Sequence, residues 1–276
     1  MKNKRWVHNL IISMALILGI AFWLFPLAMA LMNSFKTNGE LLTNIMSFPK
    51  SLNFENYSRT IKKMHYIRSF LNTVLLASLS VSMMILFSAL AGWRLSRTKT
   101  KLSSAIFALF VFSMLIPFSS IMIPLYKVIM VLQIKNSIIG LSFVYAGLGV
   151  SMAIFLYHGF VKGIPLELEE AAAIDGCSKL KTFLFIILPM LKPITATICI
   201  TNVLWIWNDF LLPLIAISNN KKYSILLSTN TLFGQYSSDW AAILSALILS
   251  AIPVIFFYAI FQKQILKGIT DGAMKG

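Results

Sequence analysis

Carboxylates are scarce in this chain, nine against twenty-four lysines and arginines. Four of the nine, Glu167, Glu169, Glu170 and Asp175, are gathered on the short stretch LELEEAAAIDG. Carboxylates so placed can do acid–base work in a pocket, ligate a metal together with His or Cys, or offer charge to a basic partner. The first two uses need companions that are missing. His8, His65 and His158 are isolated from acids in the sequence, and Cys177 and Cys199 have no His or second Cys at ligand spacing. That argues against a membrane-embedded enzyme and leaves charge presentation.

Read as a helix, the stretch is well punctuated. Pro165 suits the first helical position, Glu167 favours the positive N-terminal end, and Gly176 suits a left-handed exit. About eleven residues give a helix roughly 16 Å long, too short to be stable in water without packing against something. Leu166, Glu170 and Ala173 align at i, i+4, i+7, with Ala171, Ala172 and Ile174 flanking them. Two readings stay open on these residues alone. One is a docking helix whose alanines approach a partner's backbone while Glu170 meets a basic group. The other is an amphipathic helix resting on lipid headgroups, a class usually rich in Lys and Arg instead of Glu.

A second place for chemistry is Asp209, the only acid inside an apolar run, beside Asn208 and near Trp205, Trp207 and Phe210. Aromatics with polar neighbours can stack on a sugar-like ring and bind its hydroxyls, which makes Trp205, Asn208 and Asp209 candidates for a solute path. Equally, tryptophans mark membrane interfaces, with Asp209 capping or pairing at the helix end.

These residues must be carried by membrane helices. Hydrophobic residues make up 58% of the 276, and six stretches of about 20 or more, enough to cross a 30 Å core, lie at roughly 7–32, 70–93, 102–125, 137–160, 183–212 and 241–261. The expected fold is an all-α integral membrane domain over 1–276 with six transmembrane helices, and the acidic segment falls in the loop 161–182 between the fourth and fifth. Four acids at a bilayer centre would oppose insertion by roughly 12 kcal/mol, so that loop is not a span.

Lys2, Lys4 and Arg5 before the first span, with Arg94, Arg97, Lys99 and Lys101 after the second, put these ends and both termini in the cytoplasm by the positive-inside rule. The loop 33–69 opposes this with Lys36, Lys50, Arg59, Lys62, Lys63 and Arg68, though long loops count for less. The AMA at 28–30 imitates a signal cleavage site, but the run is long for that and five more follow. Polar span residues Asn72, Thr73, Ser78, Ser82, Ser119, Ser120 and Asn202 read as interhelical hydrogen-bonding groups, and Pro117, Pro189, Pro193 and Pro253 as sites of kinks or breaks. The basic residues are spread over gaps between spans, without the aromatic-interleaved patch of a nucleic-acid binder.

Glu170-Ala171-Ala172, then Asp175-Gly176, then Ile186, Leu188-Pro189 and Pro193 resemble the EAA loop of binding-protein-dependent ABC import permeases, with Cys177 where a small residue is usual. FLNTVLLASLS at 70–80, IPLYKVIMVLQIKNSIIGL at 123–141, WNDFLLPL at 207–214 and the tail GITDGAMKG at 268–276 resemble the MalG-like half of carbohydrate importers, Asp271 and Met274 being departures in the tail. The resemblance implies a cytoplasmic coupling helix in which Glu167, Glu170, Ala171, Ala172, Asp175, Gly176 and Pro189 serve the contact with an ATPase. It also implies partners: a second homologous permease subunit, two copies of a cytoplasmic ABC ATPase and an extracytoplasmic sugar-binding protein, all at a bacterial cytoplasmic (inner) membrane. By the same resemblance the loop 218–240 would face that binding protein; its composition fits a plain connector as well.

No G-x-x-x-x-G-K-[ST] loop occurs, and none of the thirteen glycines precedes a lysine. This chain is therefore expected to bind no cofactor, with ATP and Mg held by the partner. A stand-alone secondary transporter remains the alternative, but it would call for internal repeats and midplane charges that the sequence lacks.

Overall fold

The computed structural model describes residues 2–234 and 239–273, and side chains over 8–234 and 239–262. The side chains of Lys2, Lys4 and Arg5, those of the 268–276 tail, and residues 235–238 of the 218–240 loop lie outside that set. The helices in chain order are α1 (Lys2–Ser34), α2 (Asn38–Thr43), α3 (Glu55–Lys63), α4 (Tyr66–Arg97), α5 (Lys101–Ser113), α6 (Phe118–Val131), α7 (Ile138–Lys162), α8 (Glu167–Ile174), α9 (Lys179–Thr182), α10 (Leu188–Met190), α11 (Lys192–Asn208), α12 (Leu211–Ala216), α13 (Ile225–Ser228) and α14 (Trp240–Ala273). Four of them contain stretches long and apolar enough to cross a membrane alone: His8–Ser34, Tyr66–Arg97, Ile138–Lys162 and Trp240–Gln262.

The other two expected spans are bent pairs, so six crossings result if each pair counts as one. The stretch expected at 102–125 turns by 103° between α5 and α6. Pro117 supplies the reason: it disfavours helix at Ile116, stands extended at φ −66°, ψ 141°, and opens α6. The stretch expected at 183–212 is interrupted three times. Phe183–Ile187 is a π-helical segment, in which the Leu188 amide reaches back to the Phe183 carbonyl. The wider turn relieves the clash that the Pro189 ring would make with the carbonyl four residues before it. A 71° bend follows at Leu191, where Pro193 sits in the first turn of α11. The third interruption is at Asp209, described below. Pro253, expected to kink or break its helix, lies within the continuous α14.

The chain forms two compact units, Met1–Ile67 with Ser228–Pro253, and Arg68–Leu227 with Val254–Gly276. In the first, α1 leaves apolar side chains from Leu10 to Leu31 exposed, as a lipid-facing helix does. Its polar end is knotted. Asp239 accepts from Asn38, from the Ala242 amide and from Arg59, with which it forms an ion pair at 3.1 Å. Lys36 is wholly buried, and its ammonium donates to the carbonyls of Asn44 and Ile45 just past α2. The Thr37 amide, bonded to the Glu40 carboxylate in a capping box, holds that half-buried acid below the usual carboxylate range.

The second unit holds two buried apolar clusters. One gathers Leu76, Met84, Tyr145, Ile206 and Leu212; the other gathers Ala89, Trp93, Tyr157, Val161, Phe183 and Leu191. Between them α4 and α7 cross very closely. A Cβ on Gly92 would stand 2.6 Å from Cβ of Tyr157 and 3.0 Å from the His158 nitrogen. His158 itself stacks on Phe107, with ring centroids 3.7 Å apart.

Candidate functional site

The acidic segment folds as expected in type and almost in extent. α8 covers Glu167–Ile174, so Pro165, expected at the first helical position, stands instead before the N-cap Leu166; three glutamates lie in the first turn, where the helix dipole favours them. Its exit is a Schellman turn: the Cys177 amide donates to the Ala172 carbonyl at 2.9 Å and the Gly176 amide to Ala173 at 3.1 Å. Gly176 holds φ +79° with nothing within 4 Å of the place a Cβ would take, so the glycine serves backbone conformation and not space.

One face of α8 is fastened to its own unit. Ala172 is buried at 4% exposure. Glu169 Oε1 takes Arg97 Nε at 2.7 Å, and its Oε2 takes Trp93 Nε1 at 3.1 Å. The other arm of the Arg97 guanidinium donates to the Ile164 carbonyl at 2.8 Å. Trp93 lies against Phe183 with ring centroids 5.2 Å apart.

The opposite face is left open. Glu167, Glu170, Ala171 and Asp175 are exposed, and Ile174 is 87% exposed, an unusual setting for isoleucine. Glu167, Glu170 and Asp175 make no side-chain hydrogen bond or ion pair among the described residues. A recess beside α8 is walled by Trp93, Arg94, Glu170, Ala173 and Lys179. Of the residues singled out from sequence, Glu167, Glu170, Ala171, Asp175 and Gly176 come together on or beside this open face, Ala172 turns inward, and Pro189 stands apart, exposed at the end of the π-helical segment.

Trp93, Arg97 and the role of Glu169 were not legible as a site. Arg97 reads in sequence as one of four orientation charges, and Glu169 as the glutamate next to the one that fits the EAA pattern. A spacing signal was present all the same: positions 93 and 97 are i and i+4 on one helix, so an indole donor and a guanidinium share a face.

At Asp209 the polar groups close on themselves. Its carboxylate accepts the Leu211 amide at 2.9 Å and the Leu212 amide at 3.4 Å, capping α12, and takes the Tyr145 hydroxyl at 2.8 Å. The capping conformation ends α11 at Asn208, which is why the fifth stretch does not run on to 212. Trp205 packs edge-on to Tyr145 at 5.3 Å and is 39% exposed, and Asn208 is exposed, bonded to the Leu204 carbonyl of its own turn. Nearby, Asn136, in the left-handed region at φ +58°, receives the amides of Ser218 and Asn219, and its carbonyl takes Lys222 Nζ. Of the polar span residues, Asn72 donates to the carbonyls of Lys221 and Tyr223 and Thr73 receives the Ile225 amide, while Asn202 bonds within its own helix.

Three comparisons with known proteins bear on the chain as a whole. The family model described as binding-protein-dependent transport system inner membrane component matches residues 61–271. The probable starch degradation products transport system permease protein of Thermoanaerobacterium thermosulfurigenes is 39% identical over 253 residues, 92% of each chain. The melibiose/raffinose/stachyose import permease protein of Bacillus subtilis is 33% identical over 91% of each chain. A multiple sugar-binding transport system permease protein of Streptococcus mutans is 32% identical over the full length of both. Among solved structures, a chain in the crystal structure of a bacterial ABC transporter involved in the import of the acidic polysaccharide alginate superposes with a TM-score of 0.80, over 93% of this chain and 96% of that one, at 19% identity, which bears on fold alone. A family match over residues 61–271, with relatives aligned along almost the whole chain, makes this a multi-pass membrane protein of the binding-protein-dependent transport system inner membrane component family.

Proposed function

We propose that the chain is the permease subunit of an ATP-driven importer for a sugar or oligosaccharide, and that it forms half of the translocation pathway. The observation that carries the coupling role is the two-sidedness of α8: Glu169 and Ala172 are tied inward, while Glu167, Glu170, Ala171 and Ile174 face out with no partner among the described residues. A short helix with one anchored face and one acidic, apolar-tipped open face fits the groove of a basic-rimmed partner. In this reading the partner is a cytoplasmic ABC ATPase, present in two copies and holding the ATP and Mg. The loop 161–182 and both termini are then cytoplasmic. A second, homologous permease subunit completes the pathway, and an extracytoplasmic binding protein delivers the solute.

Sugar as the cargo class is supported by what the relatives' names say they carry: starch degradation products; melibiose, raffinose and stachyose; and multiple sugars. Within the pathway, exposed Trp205 and Asn208 are the surfaces offered to solute, while Asp209 holds the helix end beside them. The test is expression with the products of the neighbouring genes, followed by detergent purification on a tag carried by this chain. Recovery of an ATPase and a second permease in fixed stoichiometry is expected. Solute uptake by this chain alone in liposomes would favour the stand-alone secondary transporter instead.

A further inference from the structure

The geometry points to Arg97, Glu169 and Trp93 as a clasp that makes α8, the last turn of α4 and the start of the π-helical segment move as one body, with Arg97 as its positioning residue. The inference rests on the docking of α8 proposed above and adds how movement of that helix would reach the spans.

Arg97 is the centre of the clasp. Its Nε meets Glu169 Oε1 at 2.7 Å, and its terminal nitrogen meets the Ile164 carbonyl at 2.8 Å. One planar group thus bridges both ends of the turn that leads into α8. Glu169 has its second oxygen on Trp93 Nε1, so the carboxylate is held by two donors one helical turn apart on α4. The pair is largely shielded, with side-chain exposures of 17% for Arg97 and 13% for Glu169, which sets it apart from freely solvated ion pairs of little value. It is the only ion pair within this unit among the described residues.

Two further contacts extend the clasp to the spans. The Trp93 ring lies on Phe183, the first residue of the π-helical segment. One residue earlier, Gly92 lets α4 touch α7 at Cβ of Tyr157 and at the backbone of His158 and Ile154. A load applied to the open face of α8 is therefore passed to the end of α4 through charge-assisted bonds, and from there to α7 and the fifth stretch through packed rings and backbone. Without the clasp, α8 keeps the burial of Ala172 and its flanking loops, and can tilt independently.

The experiment uses the complete transporter purified with its ATPase, and Mg-ATP as the probe. Spin labels are placed at Leu168→Cys on α8, outside the docking set, and Leu86→Cys on the exposed face of α4, with Cys177 and Cys199 replaced by serine. In the otherwise unaltered chain the 168-to-86 distance should stay fixed on adding Mg-ATP. In Arg97→Met or Glu169→Gln it should shift by about 2 Å or broaden, the scale of helix displacements in switching proteins. Arg97→Lys keeps the charge but cannot fork to both acceptors, so it should fall between. The exchange Arg97→Glu with Glu169→Arg should restore part of the rigidity. Trp93→Phe, which keeps the ring on Phe183, serves if the charge variants do not fold and insert, and should loosen the distance less.

A distance as fixed in the variants as in the unaltered chain, with the ATPase still bound, overturns the clasp alone. Variants that shed the ATPase also overturn it, because a device that only transmits movement leaves the dock intact. Failure of the unaltered chain to bring down an ATPase sinks the docking reading, and the clasp with it.

Discussion

Two acid-bearing regions of the second unit differ in how they use their charge. At Asp209 both carboxylate oxygens are satisfied within the chain, by two backbone amides and the Tyr145 hydroxyl, and Asn136 nearby collects two more amides and a lysine. At α8 only Glu169 is used that way, and Glu167, Glu170, Asp175 and the almost bare Ile174 are left over. Burying unpaired polar groups is costly, so a chain that spans a membrane closes its polar accounts where it can. In the docking reading proposed above, the acids left open beside an exposed isoleucine form a surface for another polypeptide, and Asp209 is primarily part of the scaffold.

That contrast can be broken most severely at Ile174. Ile174→Asp is expected to abolish recovery of the ATPase, by more than tenfold in a pull-down, while leaving this chain's insertion and thermal midpoint unchanged, since the side chain touches little of its own unit. The next effect in size falls on the scaffold. Gly92→Leu must push α4 away from the backbone of α7, and a loss of roughly 3 kcal/mol is expected, read as a lowered unfolding midpoint in detergent.

Asp209→Ala removes a cap and a hydrogen-bond acceptor together, for a loss of about 2 kcal/mol with the ATPase still bound. Tyr145→Phe removes one donor from a carboxylate that keeps its two amides, and should cost about 1 kcal/mol by the same assay. If Asp209→Ala instead leaves stability untouched and raises the solute concentration needed for uptake, the scaffold reading of that region is wrong.

Much of this was readable beforehand where a local rule has a local cause. The helix at α8, its proline entry and its left-handed glycine exit follow from residue types at fixed offsets, and the apolar runs follow from composition. What escaped depends on partners distant in sequence. Glu169 and Arg97 are 72 positions apart, so no spacing argument could choose Glu169 over Glu170 as the tethered acid or turn Ala172 inward. Two of the charges counted over 33–69 likewise have partners that the sequence does not reveal. Lys36 is buried against helix-end carbonyls and Arg59 is paired with Asp239, so neither is a freely solvated loop charge. The breaks at Pro117 and Pro193 follow from proline, but the sizes of the bends, 103° and 71°, could not be read from residue types.

The most direct test of the central claim is a photocrosslinker in place of Ile174, activated in cells during active solute uptake. A single product with the ATPase, lost when Glu170→Arg is added, is the outcome expected of a docked acidic helix. Adducts only with lipid or water in importing cells would contradict it.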